Sequence, residues 1–261
     1  MTELTMAEQA YQAVLAVISD GRSHDLGATL RYVNARRLAR LLITAVITTW
    51  VTLPRAPIII APASAAPCPD VEVTFARGTN EPAGVGGVGQ AFVDSLHSRI
   101  DGRSLGVYPV NYRATEDWPP SASAGASDAS AHVQSMVANC PNTKLVLGGY
   151  SQGAMVIDLI TIARASVAGF NAATLSADEA DHVAAVAVFG NLTDKLLGPI
   201  SEISPWYGAK AIDLCAPGDP ICTPGGSLSL PSHDEMFSPA HLSYQQSGMP
   251  GQAAAFVASR L

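Results

Sequence analysis

Lys144-Leu-Val-Leu-Gly-Gly-Tyr-Ser-Gln-Gly-Ala-Met-Val-Ile-Asp-Leu-Ile160 decides the fold. Its centre, Gly149-Tyr150-Ser151-Gln152-Gly153, matches G-x-S-x-G, with an apolar β-rich run before it and an amphipathic helical run after it. A strand that turns abruptly into a helix forces the middle residue into a strained backbone conformation and needs small residues on either side to avoid clashes. Its side chain is pushed out at the carboxyl end of the sheet, so Ser151 is the candidate nucleophile. The bare pattern is weak in a chain with 22 glycines. The flanking strand and helix give it meaning, and the free N–H groups of the helix start favour an oxyanion.

Outward from this turn, apolar runs alternate with longer amphipathic ones, the pattern of an α/β sheet. Strands are expected at 71–75, 105–110, 144–147, 182–189 and 209–214, and helices at 89–100, 126–139, 152–168 and 251–261. Near-continuous apolar residues in the third and fourth runs fit parallel strands buried on both faces. Turn chemistry is expected at Arg77–Pro82, Trp118–Pro120 and Pro217–Pro220. The chain has 261 residues, 48% of them hydrophobic, and a net charge of −7, which argues for one core and against a nucleic-acid partner.

In this architecture the acid and the base follow the serine in that order. Among the later histidines, His182 opens an apolar run, where a structural role is the simpler reading, and His233 lies in a polar loop and competes. His241, in Ser238-Pro-Ala-His-Leu-Ser-Tyr244 just before the last helix, is the preferred general base. Asp219, in Cys215-Ala-Pro-Gly-Asp-Pro-Ile-Cys222, is the preferred orienting carboxylate, with Asp213 and Asp234 as alternatives. The oxyanion donors are expected to be the N–H of Gln152 and the loop Arg77-Gly-Thr-Asn-Glu81, where Thr79 could offer both backbone N–H and hydroxyl. Gly84-Val-Gly-Gly-Val-Gly89 also fits a dinucleotide fingerprint, but its loop from the first strand is too long and the next strand ends in Asn111 rather than an acid. These glycines are read as the wall beside the oxyanion loop.

Four cysteines, Cys68, Cys140, Cys215 and Cys222, suggest two disulfides rather than a zinc site, since no histidine sits at ligand spacing. The short spacing of Cys215 and Cys222 makes their pairing the simplest of three connectivities and leaves Cys68 for Cys140. Arg36, Arg37 and Arg40 precede the apolar run 41–53, and small residues follow at Ala61-Pro-Ala-Ser-Ala-Ala66, the order of a secretory signal. Residues 1–66 are therefore assigned to an N-terminal extension with a signal peptide, and 67–261 to the hydrolase domain. Residues 1–35 are read as an unusually long leader or as lying ahead of a later true start, with a retained cytoplasmic tail as the alternative.

Four ordered motifs, Phe75-Ala-Arg-Gly-Thr-Asn-Glu81, Gly149–Gly153, Gly218-Asp-Pro-Ile-Cys222 and Pro239-Ala-His-Leu242, together resemble the cutinase family, especially its mycobacterial secreted members. The similarity covers about residues 68–261. It implies a small α/β-hydrolase, a three-layer sandwich around a five-stranded parallel sheet, without a large lid and with two disulfides. It implies hydrolysis of carboxylic esters, with Ser151, Asp219 and His241 as the triad and Thr79 and Gln152 at the oxyanion hole. Thr79 stands where fungal members usually have serine, the stretch from Asp219 to His241 is longer, and residues 1–35 have no counterpart.

The expected activity is thus that of a secreted serine esterase acting on short- to medium-chain acyl esters or lipids. No cofactor and no metal is expected. The expected partner is a small-molecule or lipid ester, with transient contact with lipid surfaces, and the chain is expected to be a monomer. The competing readings are a lipase or phospholipase acting on long acyl chains and a secreted scaffold without catalysis.

Overall fold

The computed structural model describes residues 67–163, 165–166, 169–224 and 231–261. The signal peptide and extension assigned to residues 1–66 lie outside the described residues. Five parallel strands form the sheet: β1 (Val71–Ala76), β2 (Leu105–Pro109), β3 (Lys144–Tyr150), β4 (Val183–Phe189) and β5 (Ala211–Leu214). Their order is β2-β1-β3-β4-β5. The chain therefore reverses direction across the sheet between β1 and β3, and the ends of these two strands form the switch point where ligand sites of open α/β sheets arise. The loop Arg77–Glu81 leaves β1 there, and Ser151 leaves β3.

Alternation of side chains along each strand separates two cores. Val71, Val73, Phe75, Val146, Ala185, Ala187 and Phe189 face one side, against α1 (Gly86–His97) and the last helix, α8 (Met249–Ala258). Leu145, Leu147, Val183, Val186 and Val188 face the other, against α2 (Trp118–Asn139) and α3 (Gln152–Thr161). Two helices on each face of a sheet buried on both faces give the three-layer sandwich. Cys68 is bonded to Cys140, tying the chain ahead of β1 to the end of α2, and Cys215 is bonded to Cys222.

Several boundaries differ from the sequence reading. Trp118-Pro-Pro120 is no separate turn but the first turn of α2, where proline needs no hydrogen-bonded N–H and its φ already suits a helix. The helix after Ser151 stops at Thr161 rather than near residue 168. The returning chain takes the carbonyls of its last turn, Ala173 N–H donating to Leu159 and Leu175 N–H to Ile160. His182 does not open β4. It closes α4 (Ala177–His182), whose start is a Ser176–Glu179 capping box.

Between β4 and β5 lie two short helices, α5 (Leu192–Leu196) and α6 (Ile200–Ile203). Asp158 of α3, Asp194 of α5 and Asp213 of β5 form an acidic cluster beneath them. Asp158 accepts from Asn191 and Thr193, and Asp213 accepts from Ile200 N–H and Ser201 N–H. Burial pushes Asp158 up to about 7, and burial followed by the charges of Asp213 and Asp158 pushes Asp194 up to about 8. Both values lie above the ordinary 3.8, so the native state binds protons that the unfolded chain releases. Their contribution to stability is complete below the ordinary value and is lost as pH rises through 7 and 8. The thermal unfolding midpoint is therefore expected to fall from about pH 4 to about pH 8 and to level off above that, and Asp194→Asn to remove part of that fall. Equal falls in the two proteins would contradict the assignment.

Candidate active site

At the switch point the strand-to-helix turn has the strained geometry its sequence implies. Ser151 sits at φ 55° and ψ −117°, a conformation rare for a residue with a side chain. Its N–H donates to the carbonyl of Phe189 at 2.9 Å, which fixes the turn to the neighbouring strand. A Cβ on Gly149 would stand 2.2 Å from the carbonyl oxygen of Gly153, so the first glycine is required by the close approach of the helix.

His241 and Asp219 reach this serine from the far end of the chain. The imidazole Nε2 lies 2.8 Å from Ser151 Oγ, and Nδ1 lies 2.8 Å from Asp219 Oδ2. All three residues are buried, Asp219 completely. The carboxylate is held on both oxygens: Ile221 N–H donates to Oδ1 at 2.9 Å, and the Tyr244 hydroxyl to Oδ2 at 2.7 Å. The Cys215–Cys222 bridge closes the loop that carries Asp219, whose own N–H donates to Ala216. Burial pushes the Asp219 carboxyl up, but its hydrogen bond to His241, the charge of His241 and the bonds from Tyr244 and Ile221 outweigh it, so the net shift is below the ordinary 3.8. Asp219 is consequently ionised wherever His241 is to work as a base. The Tyr150 hydroxyl donates to the His241 carbonyl at 2.6 Å, and its ring lies over the imidazole with centroids 5.3 Å apart.

The loop Arg77–Glu81 is fastened by the side chains of its own two ends. Glu81 accepts from Gly78 N–H at 2.6 Å and from Gly87 N–H at 2.8 Å. Arg77 donates to the carbonyls of Glu81 and Tyr112. The Thr79 hydroxyl is buried without a hydrogen-bond partner among the described residues and lines the same crevice as Ser151. Gln152 begins α3, where the helical ladder leaves its N–H unpaired. Its buried side chain is held by Thr115 and Ser121, which anchors that N–H in place. The glycine run 84–89 forms the wall beside this loop: Gly87 meets the Glu81 carboxylate, and Gly89 packs against the Phe75 ring.

The competing residues lie elsewhere. His233 is in the short helix α7 (His233–Met236), exposed, with Asp234 at 3.8 Å. Asp213 supports the start of α6, and Asp234 is exposed. The Sγ atoms of Cys215 and Cys222 come close to the Asp219 carboxylate, but sulfurs joined in a disulfide supply no thiolate to a metal. Sequence reasoning missed Tyr150, Tyr244 and Gly190. Gly190 has φ 59°, and a Cβ there would stand 2.9 Å from His241 Cε1 and 3.2 Å from Asp219 Oδ2. A glycine directly after an apolar strand was the available signal for it. The two tyrosines, being long-range partners, left none.

A sheet of this order, an elbow serine and an imidazole–carboxylate pair at its carboxyl edge define an α/β-hydrolase of the serine type. The cutinase family model matches residues 67–261. The chain is similar to the carboxylesterase Culp1 of Mycobacterium tuberculosis, 49% identical over 232 residues that cover 87% of this chain and 97% of that one. It is also similar to the phospholipase Culp4 of the same organism, 47% identical over 87% of this chain and 93% of that one. Among solved structures, Trichoderma reesei cutinase in complex with a phosphonate inhibitor shares 35% identity at a TM-score of 0.56, covering 74% of this chain and 77% of that one. An acetylxylan esterase shares 25% identity at a TM-score of 0.62, covering 74% and 99%. The chain belongs to the cutinase family, and it is a carboxylic ester hydrolase.

Proposed function

We propose that the chain hydrolyses short- to medium-chain acyl esters through Ser151 as nucleophile, His241 as general base and Asp219 as the group that orients the base. The continuous contact Ser151 Oγ–His241 Nε2 and His241 Nδ1–Asp219 Oδ2, each at 2.8 Å, carries this reading. Neutral His241 takes the hydroxyl proton as Oγ attacks the ester carbonyl. The oxyanion of the tetrahedral intermediate is met by the N–H groups of Thr79 and Gln152 and by the Thr79 hydroxyl. His241 then returns the proton to the leaving alcohol, which gives the acyl-enzyme. Water, activated by the same imidazole, releases the acid.

The crevice beside Ser151 supports the chain-length preference. Its volume is about 190 Å³, and Leu242, Met236 and Phe237 line it with Val88. At about 30 Å³ for a water-sized group, that is room for about six such groups. The expected result with nitrophenyl esters is a maximum of kcat/KM at short to medium acyl chains, with a steep decline for chains of sixteen carbons or so. A second reading, action on long-chain lipid esters, draws on an apolar cavity of about 1140 Å³ along α3, α5 and α6, whose rim exposes Leu197 and Trp206. A maximum at the longest chains would favour it. Export and a monomeric state complete the proposal; the N-terminal sequence of protein recovered from culture medium tests the first, and its sedimentation the second.

A further inference from the structure

We infer that Tyr244, which is outside the triad, is a positioning residue whose hydroxyl pins one oxygen of the Asp219 carboxylate in the orientation His241 requires. The inference rests on the triad reading given above.

Tyr244 is fully buried and lies in the two-turn 3₁₀ segment His241–Gln246, three residues after the base. In a 3₁₀ turn residues three apart lie one above the other, so a single turn presents the imidazole and the phenol to the same carboxylate. The direction of the tyrosine's hydrogen bond follows from its other partner. Ala216 N–H donates to the phenol oxygen at 2.8 Å, so the hydroxyl hydrogen is free for Asp219 Oδ2, at 2.7 Å. The remaining neighbour, Cys222 Sγ at 3.3 Å, is a disulfide sulfur and a weak acceptor. Burial, then the bond to Asp219, pushes the phenol well above its ordinary value, so Tyr244 stays a donor throughout the working range of an esterase.

This hydrogen bond has two opposed effects on catalysis. It draws negative charge away from Oδ2, which weakens the support Asp219 gives to the imidazolium. It also stops rotation of the carboxylate, whose terminal torsion is otherwise loosely defined. Without Tyr244, the one donor left to the carboxylate among the described residues, apart from His241, is Ile221 N–H, on the other oxygen. In a completely buried site a misoriented acceptor misplaces the imidazole as well, and reaction rates fall steeply with small errors in placement. Positioning should therefore outweigh charge withdrawal.

The test uses the full chain and its Tyr244→Phe variant, which keeps the ring. The expected kcat for a short nitrophenyl ester is about tenfold lower with KM within about twofold of wild type, the signature of a contact that matters in the transition state. Asp219→Ala and the Asp219→Ala/Tyr244→Phe double variant complete a cycle, read as the rate of inactivation by a fluorophosphonate. If Tyr244 acts through the carboxylate, the Phe substitution changes that rate by less than about twofold once the carboxylate is gone, whereas a purely structural role would carry the full loss into the double variant. Equal or higher kcat in Tyr244→Phe would also overturn the inference. Proton NMR of wild type gives an independent reading should the variant fold poorly: a slowly exchanging Tyr244 hydroxyl with a nuclear Overhauser contact to the His241 Nδ1 proton supports it, and a hydroxyl without that contact contradicts it. Ser151→Ala separates the two levels. If that variant stays active, the triad reading itself fails. If it is inactive while Tyr244→Phe matches wild type, the Tyr244 assignment alone is wrong.

Discussion

Ser151→Ala is expected to fold like wild type and to lose about 10⁴-fold or more of kcat for any carboxylic ester. The substitution deletes one hydroxyl from a crevice wall and leaves the oxyanion donors in place, so substrate binding should change little. The loss comes from the covalent step, because no other hydroxyl among the described residues is in contact with His241 Nε2. Equal unfolding midpoints with retained hydrolysis would place the chemistry elsewhere. Equal midpoints with abolished hydrolysis are the predicted outcome.

Gly153→Ala is expected to be severe for a different reason. A Cβ at this position would stand 1.9 Å from the carbonyl oxygen of Ala76 and 2.7 Å from that of Arg77. Both are backbone atoms, so no side-chain rotation relieves the clash. The first turn of α3 has to move away from the end of β1, which separates the two halves of the proposed oxyanion hole, Gln152 on the helix and Thr79 on the loop. Overpacking of this kind costs about 3 kcal/mol. In a domain of this size that lowers the unfolding midpoint by roughly 6–12 °C. A misplacement of about 1 Å should lower kcat about 100-fold in the protein that remains folded. A variant with wild-type midpoint and activity would show that the elbow does not depend on this contact.

The two glycines of the motif thus have one cause, the approach of α3 to the strand ends, and that cause was legible because it is local. The sequence around Ser151 announces a strand, a turn and a helix within seventeen residues, and no distant contact is needed to read it. The choice between His241 and His233 was not local. Both follow Asp219 in polar stretches, and only the path of the chain carries one imidazole to Ser151 while leaving the other exposed. Helix ends were legible where a cap governs them and illegible where a tertiary contact does. The Ser176–Glu179 capping box could have been read from its spacing, whereas the end of α3 at Thr161 depends on Ala173 and Leu175 returning to take its carbonyls. Trp118-Pro-Pro120 misled because proline marks a turn and a helix start equally well. Tyr150 and Tyr244 stayed hidden because each acts on a residue at least 25 positions away.

Mapping of a fluorophosphonate adduct by mass spectrometry tests the central claim most directly. The account predicts a single phosphonyl group on Ser151, formed at wild-type rate in His233→Ala and at a rate reduced by several orders of magnitude in His241→Ala. An adduct on another serine, or loss of labelling in His233→Ala with retention in His241→Ala, would contradict it.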